Sequence, residues 1–126
     1  MNIIETKNFN PSTDIKLLCT CGHPECDKRS VSQKVLDRVQ VVRNLVNRPL
    51  TITSGGRCLN HPDELKRTTP ADHQKCNAVD IAVNGGIERG QLVNAGLLYG
   101  FNAIGIGKTF VHLGYRPGEK LVIWVY

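Results

Sequence analysis

The stretch Asp72-His73-Gln74-Lys75-Cys76-Asn77-Ala78-Val79-Asp80-Ile81 places a histidine and an aspartate seven positions apart, the aspartate inside an apolar run. Over residues 78–83, period-two alternation sends Val79, Ile81 and Val83 to one face of a strand and Ala78, Asp80 and Ala82 to the other. Asp80 therefore projects between two small side chains, which leave room beside it. Burying an ionised carboxylate without a partner costs several kcal/mol, so Asp80 faces solvent, pairs with a cation or binds a metal. A second strand-like run, Phe110-Val111-His112-Leu113, presents one histidine between apolar neighbours. Two histidines and a carboxylate, with a fourth position open, make the ligand set of a catalytic zinc site.

Upstream, the β-rich run Leu50-Thr51-Ile52-Thr53 ends in Ser54-Gly55-Gly56-Arg57, which delivers a guanidinium to a strand end over a flexible double glycine. Such a group suits a peptide carboxylate or a developing oxyanion. The alternative is a structural salt bridge from Arg57 to Asp80, Asp63 or Glu64.

Taken together, Ser54-Gly55-Gly56-Arg57-Cys58, then His73 and Asp80, then Phe110-Val111-His112 resemble the zinc D-alanyl-D-alanine carboxypeptidase family, which includes small phage endolysins cleaving peptidoglycan peptides. The resemblance covers residues 50–126 and its three spacings are specific only in combination. It implies zinc on His73, Asp80 and His112, substrate contacts from Arg57 and Ser54, and a peptidoglycan stem peptide as partner. The chain departs from the family pattern at several positions. Ala71 stands where a serine commonly contacts substrate, and Cys76 where a glycine is usual. Many members carry a carboxylate base shortly before the last histidine, but Gly105-Ile106-Gly107-Lys108-Thr109 has none, and Gly114 stands where some have aspartate. Asp72 is then the candidate base, provided the backbone turns there, with Asp63 and Glu64 next. A non-catalytic zinc-binding domain, serving as a phage structural component or a wall-recognition pocket, is the other reading.

A chain of 126 residues is expected to form one domain over residues 1–126, with a cysteine-rich leader at 1–29 included. Its net charge of +5 and pI near 9.1 favour polyanions, among them nucleic acid, lipopolysaccharide and an anionic wall. With one Trp, three Tyr and three Phe and no basic stripe interleaved with them, nucleic acid is the weaker choice. Residues 1–10 carry Glu5 and Lys7 and lack a long apolar core, so neither a secretory signal nor a membrane anchor is expected there. The resemblance implies a protein made in the cytoplasm that acts on the wall after release or rides in a virion.

Five cysteines cannot all pair within the chain, and a reducing compartment favours thiols or metal ligands over disulfides. Cys19-Thr20-Cys21-Gly22-His23-Pro24-Glu25-Cys26 packs three thiols and an imidazole into a short loop. A second, structural zinc on Cys19, Cys21, Cys26 and either His23 or Cys58 is one reading. Reduced cysteines packed as small hydrophobes are the other.

Elsewhere, Ser30 and Gln33 read as a capping box opening a helix whose apolar stripe runs to a stop at Asn47-Arg48-Pro49. Residues 58–72 read as a polar rim loop, with His61 either solvated or a substrate contact. A second helix is expected over 87–99, ended by Gly100, and then three strands at 102–106, 110–115 and 121–126 in an antiparallel meander, with Trp124 in the core or, as the alternative, in the pocket wall. The expected fold is α+β: two helices on one side of a small, mainly antiparallel sheet, with the zinc site at one end, as in hedgehog and D-Ala-D-Ala peptidase-like folds.

Overall fold

The computed structural model describes residues 4–126. Helix α1, Gln33–Val46, starts at Ser32, whose hydroxyl accepts the Val35 N–H at 3.3 Å. The cap is thus Ser32 and not Ser30, because Ser30 is spent in a β-bridge with Leu18. The helix stops at Asn47, which takes the left-handed conformation at φ 55°. A four-residue helix, α2 (Pro62–Leu65), interrupts the expected rim loop, with His61 accepting the Asp63 N–H as its cap and proline in its first turn. Helix α3, Gly85–Leu98, begins two residues earlier than expected and is followed by Gly100 at φ 87°.

Five strands form one sheet: β1 (Ile52–Ser54), β2 (Ala78–Ala82), β3 (Ala103–Ile106), β4 (Phe110–Gly114) and β5 (Val122–Val125), in the order β1-β2-β4-β3-β5. The first three pairings are antiparallel, but β5 runs parallel to β3. This corrects the expected meander and the mainly antiparallel sheet: the sheet is mixed, and three helices, not two, accompany it among the described residues. The reason is topological. β4 is flanked by β2 and β3, so the last strand has no edge of β4 to pair with and crosses to the free edge of β3. Asn102 pins that crossing: its amide donates to the carbonyls of Arg116 (2.7 Å) and Glu119 (3.0 Å), and its Oδ1 accepts the Arg116 N–H (2.7 Å).

Alternation along the strands gives the sheet two unlike faces. Val79, Ile81, Ile104, Val111 and Leu113 are fully buried with Val35, Leu36, Val39 and Val42 of α1 and Leu92 and Ala95 of α3. Each of these Val, Leu and Ile side chains contributes about 1.5–3 kcal/mol of hydrophobic stabilisation. Phe9 and Leu17 join this core, so the leader packs as part of it. The opposite face carries Asp80, His112, Gly105 and Trp124, which sit side by side in register. No helix of the described residues is long and apolar enough to cross a membrane.

Candidate metal centre and cleft

Asp80 on β2 and His112 on β4 are direct cross-strand partners on the face the helices leave uncovered. His73 arrives from a turn in which Asn77 N–H bonds the Asp72 carbonyl, Cys76 N–H bonds the His73 carbonyl, and Cys76 adopts φ 63°. That turn lets adjacent Asp72 and His73 both reach the site. His73 donates its Nδ1–H to the Gly55 carbonyl at 2.7 Å, which leaves Nε2 facing Asp80 Oδ1 at 3.2 Å. His112 donates its Nε2–H to Asp72 Oδ2 at 2.9 Å and turns Nδ1 to the same Asp80 oxygen at 3.0 Å.

All three residues are buried, and one donor atom from each lies within 4.8 Å of the others. A tetrahedral zinc with ligand bonds of 2.0–2.1 Å holds such atoms roughly 3.3 Å apart, so the donor set fits the ion. The outer partners, a backbone carbonyl behind His73 and a carboxylate behind His112, fix both imidazole orientations as zinc ligands require. Burial works against ionising Asp80, yet hydrogen bonds from His112 and His73 outweigh it and hold its pKa well below the usual carboxylate range. Burial likewise opposes charging His112, but its bonds to Asp72 and Asp80 raise its pKa overall.

Asp72, the candidate base, has both carboxylate oxygens engaged by neighbouring donors. Its Oδ2 accepts from His112, and Arg116 holds both oxygens, Nε on Oδ1 at 2.8 Å and Nη2 on Oδ2 at 3.1 Å. Burial alone would raise this carboxyl, but the bonds from His112 and Arg116 keep it at about 2. Gly114 makes the arrangement possible, since a Cβ there would stand 2.8 Å from Asp72 Oδ2 and 3.0 Å from His112 Nε2. Arg116 escaped the sequence reading because it sits in an Arg-Pro-Gly turn with no motif. Its only signal was a charge beside a strand carrying His112.

The site opens into a cleft of about 690 Å³. Phe110, Trp124 and Tyr126 form one wall; Arg57, Lys66, Arg67 and Arg116 supply cations around it. Trp124 is half-buried on the site face, its ring 5.1 Å from that of His112, and not in the core as expected, because the parallel register sets it beside Gly105. Arg57 lines the cleft with its guanidinium 3.5 Å from Glu64, 3.8 Å from Asp63 and 3.9 Å from Asp80. Both sequence readings of Arg57 thus meet in one place. Ser54 does not line the cleft. β1 shifts register between Ile52 and Ser54, and the serine lines a smaller neighbouring cavity with His61. The carboxylates lining the cleft are Asp63, Asp72 and Asp80. Asp80 is among the candidate donors and Asp72 is taken by two partners, whereas Asp63 has a side chain 53% exposed, with only Arg57 at 3.8 Å and His61 at 3.9 Å beside it. Glu64 is buried under Arg57 and Arg67.

In a second cluster, the sulfurs of Cys19, Cys21, Cys26 and Cys58 also lie within 4.8 Å of one another. His23 turns away from them, its Nδ1 accepting the Glu25 N–H at 3.0 Å.

Among known proteins, the family model described as Peptidase M15 matches residues 7–114, most of the chain. A comparison with curated proteins finds no match.

Proposed function

The chain belongs to the peptidase M15 family, and from that premise we propose that it is a zinc-dependent peptidase hydrolysing peptidoglycan stem peptides, of the carboxypeptidase or endolysin type. One observation carries the reading: the donor atoms of His73, Asp80 and His112 converge on the floor of a cleft that a guanidinium overhangs. A zinc ion held there supplies Lewis-acid polarisation of a scissile carbonyl and activation of water. The protein's own groups do the rest. Arg57 binds a substrate carboxylate or the oxyanion that develops during attack, and Lys66 and Arg67 extend the positive rim toward a peptide's acidic end. Phe110, Trp124 and Tyr126 receive the small apolar side chains of the peptide. Asp72, braced by Arg116, holds His112 in the tautomer that leaves Nδ1 free. Asp63, the most exposed of the three cleft carboxylates, would take the proton of the attacking water. The protein acts at the cell wall, after release from the cell or from a virion.

The test is incubation of zinc-loaded protein with purified peptidoglycan and synthetic stem peptides, following new amino groups and fragment masses. Cleavage by the wild type, lost in His73→Ala and much reduced in Arg57→Ala, is the expected result. Binding without turnover is the second reading, favoured by how exposed the remaining carboxylate is. Zinc-loaded protein that retains wall peptides yet releases no fragment would select it.

A further inference from the structure

Cys19, Cys21 and Cys26 come from the leader and Cys58 from the chain just beyond β1, yet their four sulfurs converge at a distance from the cleft. Cys19 and Cys58 are each 1% exposed, Cys21 and Cys26 are half-buried, and the Cys21 and Cys58 sulfurs stand 3.5 Å apart. Tetrahedral zinc with Zn–S bonds near 2.3 Å holds its sulfurs roughly 3.8 Å apart, so the spread of up to 4.8 Å closes onto one ion with small shifts. Thiols packed only as small hydrophobes would be covered, and two of these are not. The Lys28 N–H points at Cys26 Sγ at 3.4 Å, and Lys28 takes φ 52° to aim it. A backbone donor held on the sulfur fixes its position, as outer partners do for metal ligands. Between the Leu18–Ser30 bridge partners the leader has no strand or helix of its own, so little else fixes this loop.

We propose that Cys19, Cys21, Cys26 and Cys58 hold a structural zinc ion as a four-thiolate centre. His23, the other candidate for the fourth ligand, brings neither ring nitrogen into that cluster, and its Nδ1 accepts the Glu25 N–H.

The ion would clamp the leader to the segment that aims the cleft. Cys58 follows Arg57 directly. Within that segment the Gly55 carbonyl orients His73, the Gly56 N–H bonds the Leu17 carbonyl at 3.1 Å, and the Arg57 N–H bonds the His73 carbonyl at 3.1 Å. Gly55 and Gly56 lie so close to the leader that a Cβ on either would collide with the backbone of Leu17 or Arg29. Leader and cleft segment are in backbone contact, and the four-thiolate centre sits at the end of that seam. Binding energy at such a centre is folding energy.

The experiment uses the intact zinc-loaded chain and reads metal and thiols, not hydrolysis, so its failure is distinct from failure of the peptidase reading. Titration with a mercurial reagent, with a chromophoric chelator reporting released metal, is expected to free one zinc as four thiols react together, Cys76 reacting separately. In His73→Ala/His112→Ala, metal content is expected to fall to one ion per chain, and cadmium replacing it should give the sulfur-to-metal charge-transfer absorption of four thiolates. Cys58→Ser should lower that absorption to the level of three thiolates; if it fails to fold, the wild-type titration still decides. Five thiols reacting independently with no metal release, a mass showing a disulfide among the four, or cadmium binding without thiolate absorption would each overturn the proposal.

Discussion

Replacing Asp72 with alanine removes the carboxylate that holds His112 from behind, and the two candidate roles for that carboxylate predict different losses. The Nε2–H of His112 is left buried without its acceptor, at a cost of about 1–3 kcal/mol. The Arg116 side chain is 35% exposed, so water replaces most of what the guanidinium loses. Fold stability should therefore fall by about 2 kcal/mol. The imidazole, freed to rotate, should weaken zinc at the cleft by about 10- to 100-fold, the usual cost of losing an outer partner of a metal-bound histidine. Asp72→Asn keeps an acceptor for His112 but turns an amide donor toward Arg116, and should fall between the two. Chelator competition on the folded variants measures the affinity, with restoration of hydrolysis by added zinc as a second reading. A folded Asp72→Ala that keeps wild-type zinc affinity, while losing turnover and the acid limb of its kcat/KM profile, would refute the positioning role and return Asp72 to the role of base.

Asp63→Asn should lower kcat by about 100-fold or more with zinc content unchanged, and an unaltered kcat would remove Asp63 from the proton path. Trp124→Ala, which strips the aromatic wall beside His112, should raise KM about tenfold, equivalent to roughly 1.4 kcal/mol of lost binding, with zinc retained; equal KM for long and short stem peptides in both proteins would show that the wall is not a subsite. Asn102→Ala loses three hydrogen bonds at the crossing into β5 and should cost about 2–3 kcal/mol, lowering Tm by several degrees, whereas an unchanged Tm would mean the crossing is held otherwise. Metal-free protein should lose stability as pH rises past the ordinary histidine value of 6.5 and through the raised pKa of His112, since that contribution is full below 6.5 and lost above the folded value. Zinc affinity should move the other way, climbing over the same range as the competing proton leaves. Thermal melts with and without zinc, compared with His112→Gln, read both slopes.

Two of the candidate donors, Asp80 and His112, were legible because each alternates with apolar neighbours along a strand; His73, in a polar turn, was legible only from its spacing to Asp80. Asp72 and Arg116 were not, because their partnership joins residues far apart in sequence and exists only once β2, β4 and the crossing to β5 are in place. The parallel β5 was hidden for a related reason. Its residues alternate as any edge strand does, and only the occupation of both edges of β4 excludes the meander. Trp124 follows from that strand, and its parallel register decides for the cleft wall over the core. The rim helix was within reach of the sequence, since His61-Pro62-Asp63-Glu64 carries a capping-competent residue, a proline at the first helical position and acids in the first turn.

The measurement closest to the central claim is anomalous diffraction at the zinc absorption edge from crystals of the zinc-loaded protein. A peak is expected about 2.0–2.2 Å from His73 Nε2, His112 Nδ1 and an Asp80 carboxylate oxygen, facing the cleft beneath Arg57. Zinc-loaded crystals with no anomalous peak among these three side chains, or with His112 presenting Nε2 to the metal instead of to Asp72, would contradict it.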